Sequence, residues 1–253
     1  MTSGAAAAAI ALNLLGGVDA SAEPRTETFV SGGAPIAAEW FQAGTASSNE
    51  HEEKRPAVLL LHGADGMTRA ESYRFGARAL AAAGFEVVLV RYFNRTGDTR
   101  ANWSSLRQDA LLWLETIQDA VSYVSGRPGV DPDRIAIVGF SLGASLALAA
   151  AGEDARIKAV VDVFGPMPAG AESATRTPPV LILHGGRDRV VPVEHARRIE
   201  ALLKTRGVPH EVKIYPDQGH GFQGAAQIDA ATRILAFLER HLGRATAGAV
   251  SQD

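Results

Sequence analysis

Five predominantly apolar runs, interrupted only by Asp162, are spaced along the chain, and segments with helical periodicity separate most of them. The runs are residues 57–61, 87–90, 135–138, 159–163 and 180–183. A strand that is apolar throughout is buried on both faces, which is typical of a parallel sheet covered by helices on each side. Connections between parallel strands are right-handed, so the intervening helices divide into two layers. The pattern therefore predicts an α/β fold.

The segments around these runs complete the predicted architecture. Further strands are expected at residues 27–31, 36–42 and 211–215, and the first two form an antiparallel hairpin around Gly32 and Gly33. Helices are predicted at residues 73–83, 109–125, 142–151, 194–205 and 225–242. These elements amount to about eight strands in a mostly parallel sheet with helices on both faces. We expect a single domain over residues 23–243.

The two ends of the chain differ in composition from this predicted domain. Residues 5–18 are small and apolar, and Ala20, Ser21 and Ala22 fit the small-x-small rule for signal-peptide cleavage. No Lys or Arg precedes the apolar run, which leaves a disordered leader as the alternative. We predict that residues 1–22 direct export to the periplasm or the exterior, with a cytoplasmic protein as the alternative. Residues 244–253 are expected to form a flexible tail.

Charge and cysteine content exclude several classes of function. The formal net charge is -3 and the basic residues are scattered, so the chain has no electrostatic footprint for nucleic acid. It contains no cysteine, which excludes disulfides, thiolate metal sites and a cysteine nucleophile. The apolar run near the N-terminus is too short to span a bilayer. We therefore expect no nucleic-acid partner and no insertion into a membrane.

Ser141 is the candidate nucleophile. It lies in the G-x-S-x-G pattern of residues 139–143, between a predicted strand and a predicted helix. In that context the serine occupies a tight, strained turn that exposes its Oγ, and the flanking glycines avoid clashes with the facing backbone. The alternative is an ordinary helix N-cap serine, because serine is common at that position. The combination of strand, serine and helix favours a nucleophile.

A serine hydroxyl needs a base, and the base needs a carboxylate that orients it. His220 follows the last predicted strand, and Asp188 follows the strand at residues 180–183, so both belong to the same sheet edge as Ser141. The chain order of serine, acid and histidine matches the pattern of strand–serine–helix hydrolases. The alternative for Asp188 is a turn-forming aspartate. Asp162 and Asp217 are weaker candidates for the acid.

An acyl-transfer site also needs N–H donors for the oxyanion that forms in the transition state. Leu142 opens the helix after the nucleophile, so its N–H group points towards the substrate carbonyl. A second donor is expected from the loop after the first parallel strand, where the N–H of Ala64 is our choice. Gly63 and Asp65 are the neighbouring alternatives.

At these residues the chain resembles the α/β-hydrolase superfamily, and more narrowly the dienelactone hydrolase family. The resemblance extends from about Phe29 to Leu242. Its carriers are the hairpin entry and four segments, residues 61–66, 139–144, 185–188 and 219–222. It implies an α/β-hydrolase fold without a large cap domain, an open site suited to small substrates, and triad roles for Ser141, Asp188 and His220.

The sequence departs from the family pattern at three places. Dienelactone hydrolases proper have a cysteine nucleophile where this chain has Ser141. The family's glutamate before the first oxyanion donor is replaced by Gly63. The family's arginine after the catalytic histidine is replaced by Gln223 and Gly224. The departures favour a general hydrolase of small esters over an enzyme for dienelactone itself.

Basic and aromatic residues cluster after the strand at residues 87–90. Tyr92, Arg95, Arg100 and Trp103, with Arg91 beside them, resemble the family's set for holding an anionic substrate. Loop positions near a strand's carboxyl end favour a functional role. The equally weighted alternative is a solvated basic loop with one packed tryptophan.

These residues together predict a serine hydrolase that cleaves small carboxylic esters or lactones through an acyl-enzyme. The partner is a small-molecule ester or lactone, no metal or cofactor is needed, and monomer and dimer both remain open. One alternative is an aminopeptidase or oligopeptidase, although such enzymes usually carry an added domain. Another is a catalytically silent binding protein, which is expected to have lost a triad residue.

Overall fold

An eight-stranded sheet forms the centre of the protein, in a computed structural model that describes residues 24–44 and 54–243. The predicted leader at residues 1–22 and the predicted tail at residues 244–253 lie outside the described residues, so both stay predictions. The strands are β1 (Arg25–Ser31), β2 (Ala34–Phe41), β3 (Arg55–Leu61), β4 (Glu86–Val90), β5 (Val130–Phe140), β6 (Ile157–Val163), β7 (Val180–Gly185) and β8 (His210–Tyr215).

The strand order across the sheet is β1-β2-β4-β3-β5-β6-β7-β8. Strands β3 to β8 run parallel to one another, and β2 pairs antiparallel with both β1 and β4. The predicted hairpin at the start of the sheet and the mostly parallel α/β fold are therefore confirmed. The parallel strands from β3 to β7 are mostly buried because helices cover both of their faces, whereas the edge strand β8 is largely half-buried.

The register of the parallel strands brings their carboxyl ends level. Leu61 of β3 pairs with Gly139 of β5, and Val163 of β6 pairs with Leu183 of β7. The loops that follow these strands therefore meet at one edge of the sheet, which is where ligands bind in folds of this kind. Every predicted triad residue lies in one of those loops.

Six helices pack against the sheet in two layers. They are α1 (Ala70–Ala82), α2 (Trp103–Gln108), α3 (Ala110–Ser125), α4 (Leu142–Glu153), α5 (Glu194–Thr205) and α6 (Ala225–Leu242). Ala77 of α1 and Phe237 of α6 belong to the core on one face of the sheet. Trp113 of α3, Leu146 of α4 and Ile199 of α5 belong to the core on the other face. None of the described helices has the length and apolar character needed to cross a bilayer.

The predicted helix at residues 109–125 is preceded in the structure by a separate short helix, α2. The side chain of Asn102 accepts hydrogen bonds from the N–H groups of Ser104 and Ser105, at 2.9 and 3.1 Å. The Ser105 hydroxyl in turn accepts from the N–H of Asn102 at 2.8 Å. This reciprocal capping begins a helix earlier than the apolar periodicity indicates.

The connection from β6 to β7 bears on how open the sheet edge is. It spans residues 164–179 and contains only a short 3₁₀ turn at Ala171–Ser173. No additional domain is inserted there, so the prediction of a fold without a large cap is confirmed. The loops after β5, β7 and β8 meet at the uncovered edge.

Candidate active site

Ser141 lies in the tight turn that the glycine pattern predicts between β5 and α4. Its backbone has φ 53° and ψ -116°, a left-handed conformation that side chains rarely adopt. A Cβ built on Gly139 would lie 2.4 Å from the carbonyl oxygen of Gly143, and one on Gly143 would lie 2.5 Å from the carbonyl oxygen of His62. The two glycines therefore allow β5, α4 and the end of β3 to approach each other closely.

Three predicted residues from separate loops form one chain of hydrogen bonds. The Nε2 atom of His220 lies 3.0 Å from the Oγ atom of Ser141, and its Nδ1 atom lies 2.7 Å from the Oδ2 atom of Asp188. The loops after β5, β7 and β8 thus converge as predicted. The arrangement can take a proton from the serine hydroxyl onto Nε2 while the carboxylate holds Nδ1–H in place.

The carboxylate of Asp188 is held from both of its oxygens. Oδ1 accepts hydrogen bonds from the N–H groups of Val190 and Val191 at 2.8 and 2.9 Å, and Oδ2 faces His220. The side chain is buried. Three donors around this buried carboxylate limit its rotation. Asp188 can therefore orient one tautomer of the His220 ring.

The loop after β3 is held by hydrogen bonds that leave selected N–H groups free. The N–H of Gly63 donates to the Tyr73 hydroxyl at 3.1 Å, and Tyr92 donates its hydroxyl proton to the carbonyl of His62 at 2.8 Å. The N–H of Ala101 donates to the carbonyl of Ala64 at 2.7 Å. These bonds brace the loop from two sides.

Ala64 and Asp65 are the loop residues whose N–H groups have no acceptor among the described residues. The bond from Gly63 to Tyr73 occupies the alternative donor, so Gly63 is the wrong choice for an oxyanion contact. The carbon Cβ of Ser141 comes within 3.4 Å of where a Cβ on Gly63 would be. The loop therefore borders the nucleophile. On the other side of Ser141, Leu142 is the first residue of α4, where N–H groups have no intrahelical acceptor.

His62 directly follows β3, His184 lies near the end of β7, and both side chains are fully buried. Nδ1 of His62 bonds to the carbonyl of Gly63, and Nε2 of His184 bonds to the carbonyl of Val191, each at 2.9 Å. A carbonyl oxygen only accepts, so these ring nitrogens carry the proton. Burial lowers the pKa of His62 to about 4 and also lowers the pKa of His184. Both rings are therefore neutral, and they support the fold through these backbone contacts.

The expected substrate contacts of Tyr92 and Arg95 need correction. Tyr92 is fully buried beneath the loop after β3, stacked on His62 with ring centroids 4.1 Å apart, so it cannot touch a substrate. The Arg95 guanidinium donates to the carbonyls of Ser31 and Gly32 and pairs with Glu115. Those bonds fasten the hairpin between β1 and β2. Both residues support the fold next to the site.

The other members of that predicted set have different placements. Arg100 is exposed, and its neighbour Ala101 bonds to Ala64, so Arg100 lies beside the loop after β3. Its substrate contact stays a prediction. Trp103 begins α2, and its side chain lies outside the part that the structure describes. Arg91, which accompanies them in the sequence, pairs with Glu39.

Two residues near the triad have no counterpart among the sequence predictions. Tyr73 lies on the buried face of α1, where its apolar ring is indistinguishable from core in the sequence. Phe164 follows β6, and its ring centroid lies 4.7 Å from that of His220. Its position just beyond a strand end is the signal that could have identified it. In the described part of the chain, no group of three or more His, Cys, Asp or Glu residues could hold a metal ion.

Comparison with known proteins identifies the family. The sequence model of the dienelactone hydrolase family matches residues 41–239, more than half of the chain's 253 residues. The chain belongs to the dienelactone hydrolase family. It is thus a hydrolase with the fold of that family, and the match includes all three loops that form the hydrogen-bond chain.

Individual relatives agree with membership in the dienelactone hydrolase family. A carboxymethylenebutenolidase from Rhodococcus opacus is 29% identical over 211 residues, covering 73% of this chain and 81% of that protein. The dienelactone hydrolase-like promiscuous phosphotriesterase P91 from metagenomic libraries has a TM-score of 0.72 at 20% identity, over 87% of this chain and 98% of its own.

A member of another hydrolase group shares the fold. The puromycin-hydrolyzing peptidase of Mycobacterium tuberculosis has a TM-score of 0.75 at 24% identity. The match covers 92% of this chain but 41% of the peptidase chain. Identity this low indicates a common architecture, and it does not transfer the peptidase's activity.

Proposed function

We propose that this protein is a serine hydrolase that cleaves small carboxylic esters or lactones through an acyl-enzyme. The observation that carries the proposal is the continuous hydrogen-bond chain from Ser141 through His220 to Asp188, with links of 3.0 and 2.7 Å. A serine next to a helix N-terminus could be a simple cap, but no cap bond from its side chain exists. Its hydroxyl bonds to a histidine instead, which is the requirement for activation.

The proposed reaction proceeds in two steps. His220 takes the proton of the Ser141 hydroxyl while Oγ attacks the carbonyl carbon, and the same ring then gives that proton to the departing alcohol oxygen. In the second step His220 takes a proton from a water molecule, whose oxygen attacks the carbonyl carbon of the acyl-enzyme. The ring then returns that proton to the Oγ atom of Ser141, and the carboxylic acid is released. Asp188 stabilises the imidazolium that forms in each step.

The oxyanion is the charge that the site must stabilise in both steps. The N–H groups of Leu142 and Ala64 are the proposed donors, because both are free of backbone acceptors and both flank Ser141. Arg100 is a proposed contact for the part of the substrate beyond the carbonyl. A lactone fits the same sequence, since its ring oxygen is the leaving group and remains attached to the acyl chain.

The decisive test compares two alanine substitutions that lie one helical turn apart. Ser141→Ala should lower kcat for p-nitrophenyl acetate by on the order of 10⁴ or more, because the nucleophile is lost. Ser145→Ala is the matched control, since this serine is half-buried one turn later in α4 and takes no part in the hydrogen-bond chain. A fluorophosphonate probe should label the parent and the Ser145 variant but not the Ser141 variant.

Retention of most activity in Ser141→Ala would contradict the proposal. Absence of labelling in the parent would instead favour a catalytically silent binding protein. A parallel series of p-nitroanilide peptides addresses the peptidase alternative, which the fold likeness to the puromycin-hydrolyzing peptidase raises. We expect esters to react and the peptides to remain intact.

A further inference from the structure

Phe164 has a backbone conformation that calls for an explanation. Among the described residues, Ser141 and Phe164 are the non-glycine residues with positive φ, at 53° and 48°. The turn of the nucleophile explains Ser141. A bulky side chain in the left-handed region is strained, and such strain persists only where surrounding contacts enforce it. Strained residues of this kind concentrate at functional sites.

Hydrogen bonds on both sides enforce the turn at Phe164. Its own N–H donates to the carbonyl of Leu183 in the neighbouring strand at 2.8 Å. The next N–H, that of Gly165, donates to the Oδ1 atom of Asp162 at 2.7 Å. Asp162 is fully buried, and burial raises its pKa to about 7. These two hydrogen bonds to buried groups fix the turn, and they hold the ring of Phe164 in one place.

That place is beside the proposed base. The ring of Phe164 lies 4.7 Å from the His220 ring, 5.4 Å from the Phe222 ring and 6.2 Å from the Phe140 ring, measured between centroids. All three phenylalanines are half-buried. We name Phe140, Phe164 and Phe222 the aromatic wall. It packs on the core with one side, and Phe164 places part of its apolar surface next to the His220 ring.

We propose that the aromatic wall binds an uncharged apolar group, aryl or alkyl, attached next to the scissile carbonyl of the substrate. The inference rests on the proposed function, because it places the carbonyl at Ser141. A group bonded to that carbonyl carbon or to its leaving oxygen must lie within a few ångströms of His220, and so beside the wall. Aromatic faces carry partial negative charge, so they favour apolar groups and disfavour a carboxylate. The site therefore selects apolar esters.

The test measures kcat/KM for two matched pairs of esters. One pair varies the acyl group, p-nitrophenyl acetate against p-nitrophenyl butyrate, and the other varies the alcohol, phenyl acetate against 2-naphthyl acetate. The parent should prefer the larger ester in at least one pair by about tenfold, the scale of adding a few carbons to an apolar pocket. Phe164→Ala should reduce that preference to about twofold or less.

Two further variants keep the test decisive. Phe75→Ala is the matched control, because this phenylalanine is 42% exposed on α1 and makes no contact with the triad, so the preference should equal that of the parent. If Phe164→Ala fails to fold, Phe222→Ala removes a second ring of the wall and should lower the same preference. Circular dichroism and fluorophosphonate labelling show whether each variant is folded with a competent Ser141.

The outcomes separate this inference from the proposed function. Equal rates within both pairs for the parent, or an unchanged preference in the wall variants, would overturn the role of the aromatic wall. Either result, combined with labelling of Ser141, leaves the serine hydrolase intact. A parent that resists the probe, together with an active Ser141→Ala variant, would instead remove the proposed function and this inference with it.

Discussion

A histidine followed by a glycine stands at the carboxyl end of both β3 and β7, directly after β3 and as the last two residues of β7, yet the loops that follow present different chemistry. His62 and His184 are both fully buried, and each bonds to a backbone carbonyl at 2.9 Å. After His62 the chain turns, and the N–H of Ala64 in that turn is the proposed oxyanion donor. After His184 the chain continues to Asp188, whose carboxylate faces His220. The same anchor therefore supports a backbone donor in one loop and a side-chain acceptor in the other.

The histidines use opposite ring nitrogens, and that difference reflects what each loop carries. His62 bonds through Nδ1 to its own neighbour Gly63 and stacks on Tyr92, so it stabilises a compact turn. His184 bonds through Nε2 to Val191, and the same nitrogen lies 3.6 Å from Asp188. The loop after β7 is therefore held from His184 to Val191, and the Asp188 carboxylate lies between these two residues. The loop with the proposed backbone donor is thus a tight turn, whereas the loop with the carboxylate is longer and is held at both ends.

Neutralising the carboxylate of the second loop should produce the largest effect. Asp188→Asn keeps an oxygen for the N–H groups of Val190 and Val191, but it removes the charge and can offer an N–H to His220. The ring then favours the wrong tautomer, and kcat should fall by on the order of 10³–10⁴. Steady-state hydrolysis of p-nitrophenyl acetate measures it.

The matched control for Asp188→Asn is Asp217→Asn. Asp217 lies in the loop after β8, is exposed, and pairs with Arg187 at 2.7 Å. Its substitution should change kcat less than about twofold, since exposed ion pairs contribute little. Equal losses in the two variants would show that the second loop does not carry the orienting acid.

The histidine anchors should make stability depend on pH. His62 has a folded pKa of about 4, below its ordinary value of 6.5, because burial disfavours the charged ring. Between those values the unfolded chain binds the proton and the folded chain does not, so stability falls as pH decreases from 6.5 to 4. The loss from this ring is about 3 kcal/mol at most. Urea unfolding at pH 7, 5.5 and 4 measures it.

Substitution of the anchors separates their contributions. His62→Gln should flatten the fall in unfolding free energy over that range, and His184→Gln should do so in the same direction, because burial lowers the pKa of both rings. A His62→Gln variant with the parental slope would mean that this ring is not the group responsible.

The smallest effect is expected when the hydrogen bond between Tyr73 and the loop after β3 is removed. Tyr73→Phe removes the acceptor for the N–H of Gly63 and leaves a buried donor unpaired, which costs about 1–3 kcal/mol. The loop then relaxes and its oxyanion donor moves, so kcat should fall about tenfold with KM nearly unchanged.

Tyr123→Phe is the control for the brace. It removes a hydroxyl that bonds to Glu27, remote from the loop after β3. It should leave kcat at the parental value. A Tyr73→Phe effect that appears in KM alone would mean that the hydroxyl does not act through the oxyanion loop.

The sequence predicts well where the strands and helices lie, because strand ends and helix ends have local signals. Helices α5 and α6 have the bounds that the sequence predicts, and Gly243 directly follows the latter. The loops after β5 and β7 are recognisable since each follows an apolar run, and the loop after β8 follows the strand predicted at residues 211–215. The parallel sheet then requires them to meet at one edge.

What the sequence does not reveal are the contacts between distant segments. Tyr92 bonds to His62 across 30 positions, and Arg95 bonds to Ser31 across 64. Their residue types suit substrate binding as well as they suit bracing, so only the three-dimensional arrangement separates the two roles. The same holds for Phe164, whose φ value is a property of the closed turn and has no local pattern.

Gly143 has a consequence for how related proteins are judged. The helix α4 reaches the end of β3 only because this residue has no side chain, as a methyl group there would lie 2.5 Å from the carbonyl oxygen of His62. A homologue with a larger residue at this place could retain the serine, the aspartate and the histidine and still hold its two oxyanion donors too far apart. A checklist that contained only these three residues would classify such a protein as an active enzyme. The neighbouring glycine belongs on that checklist.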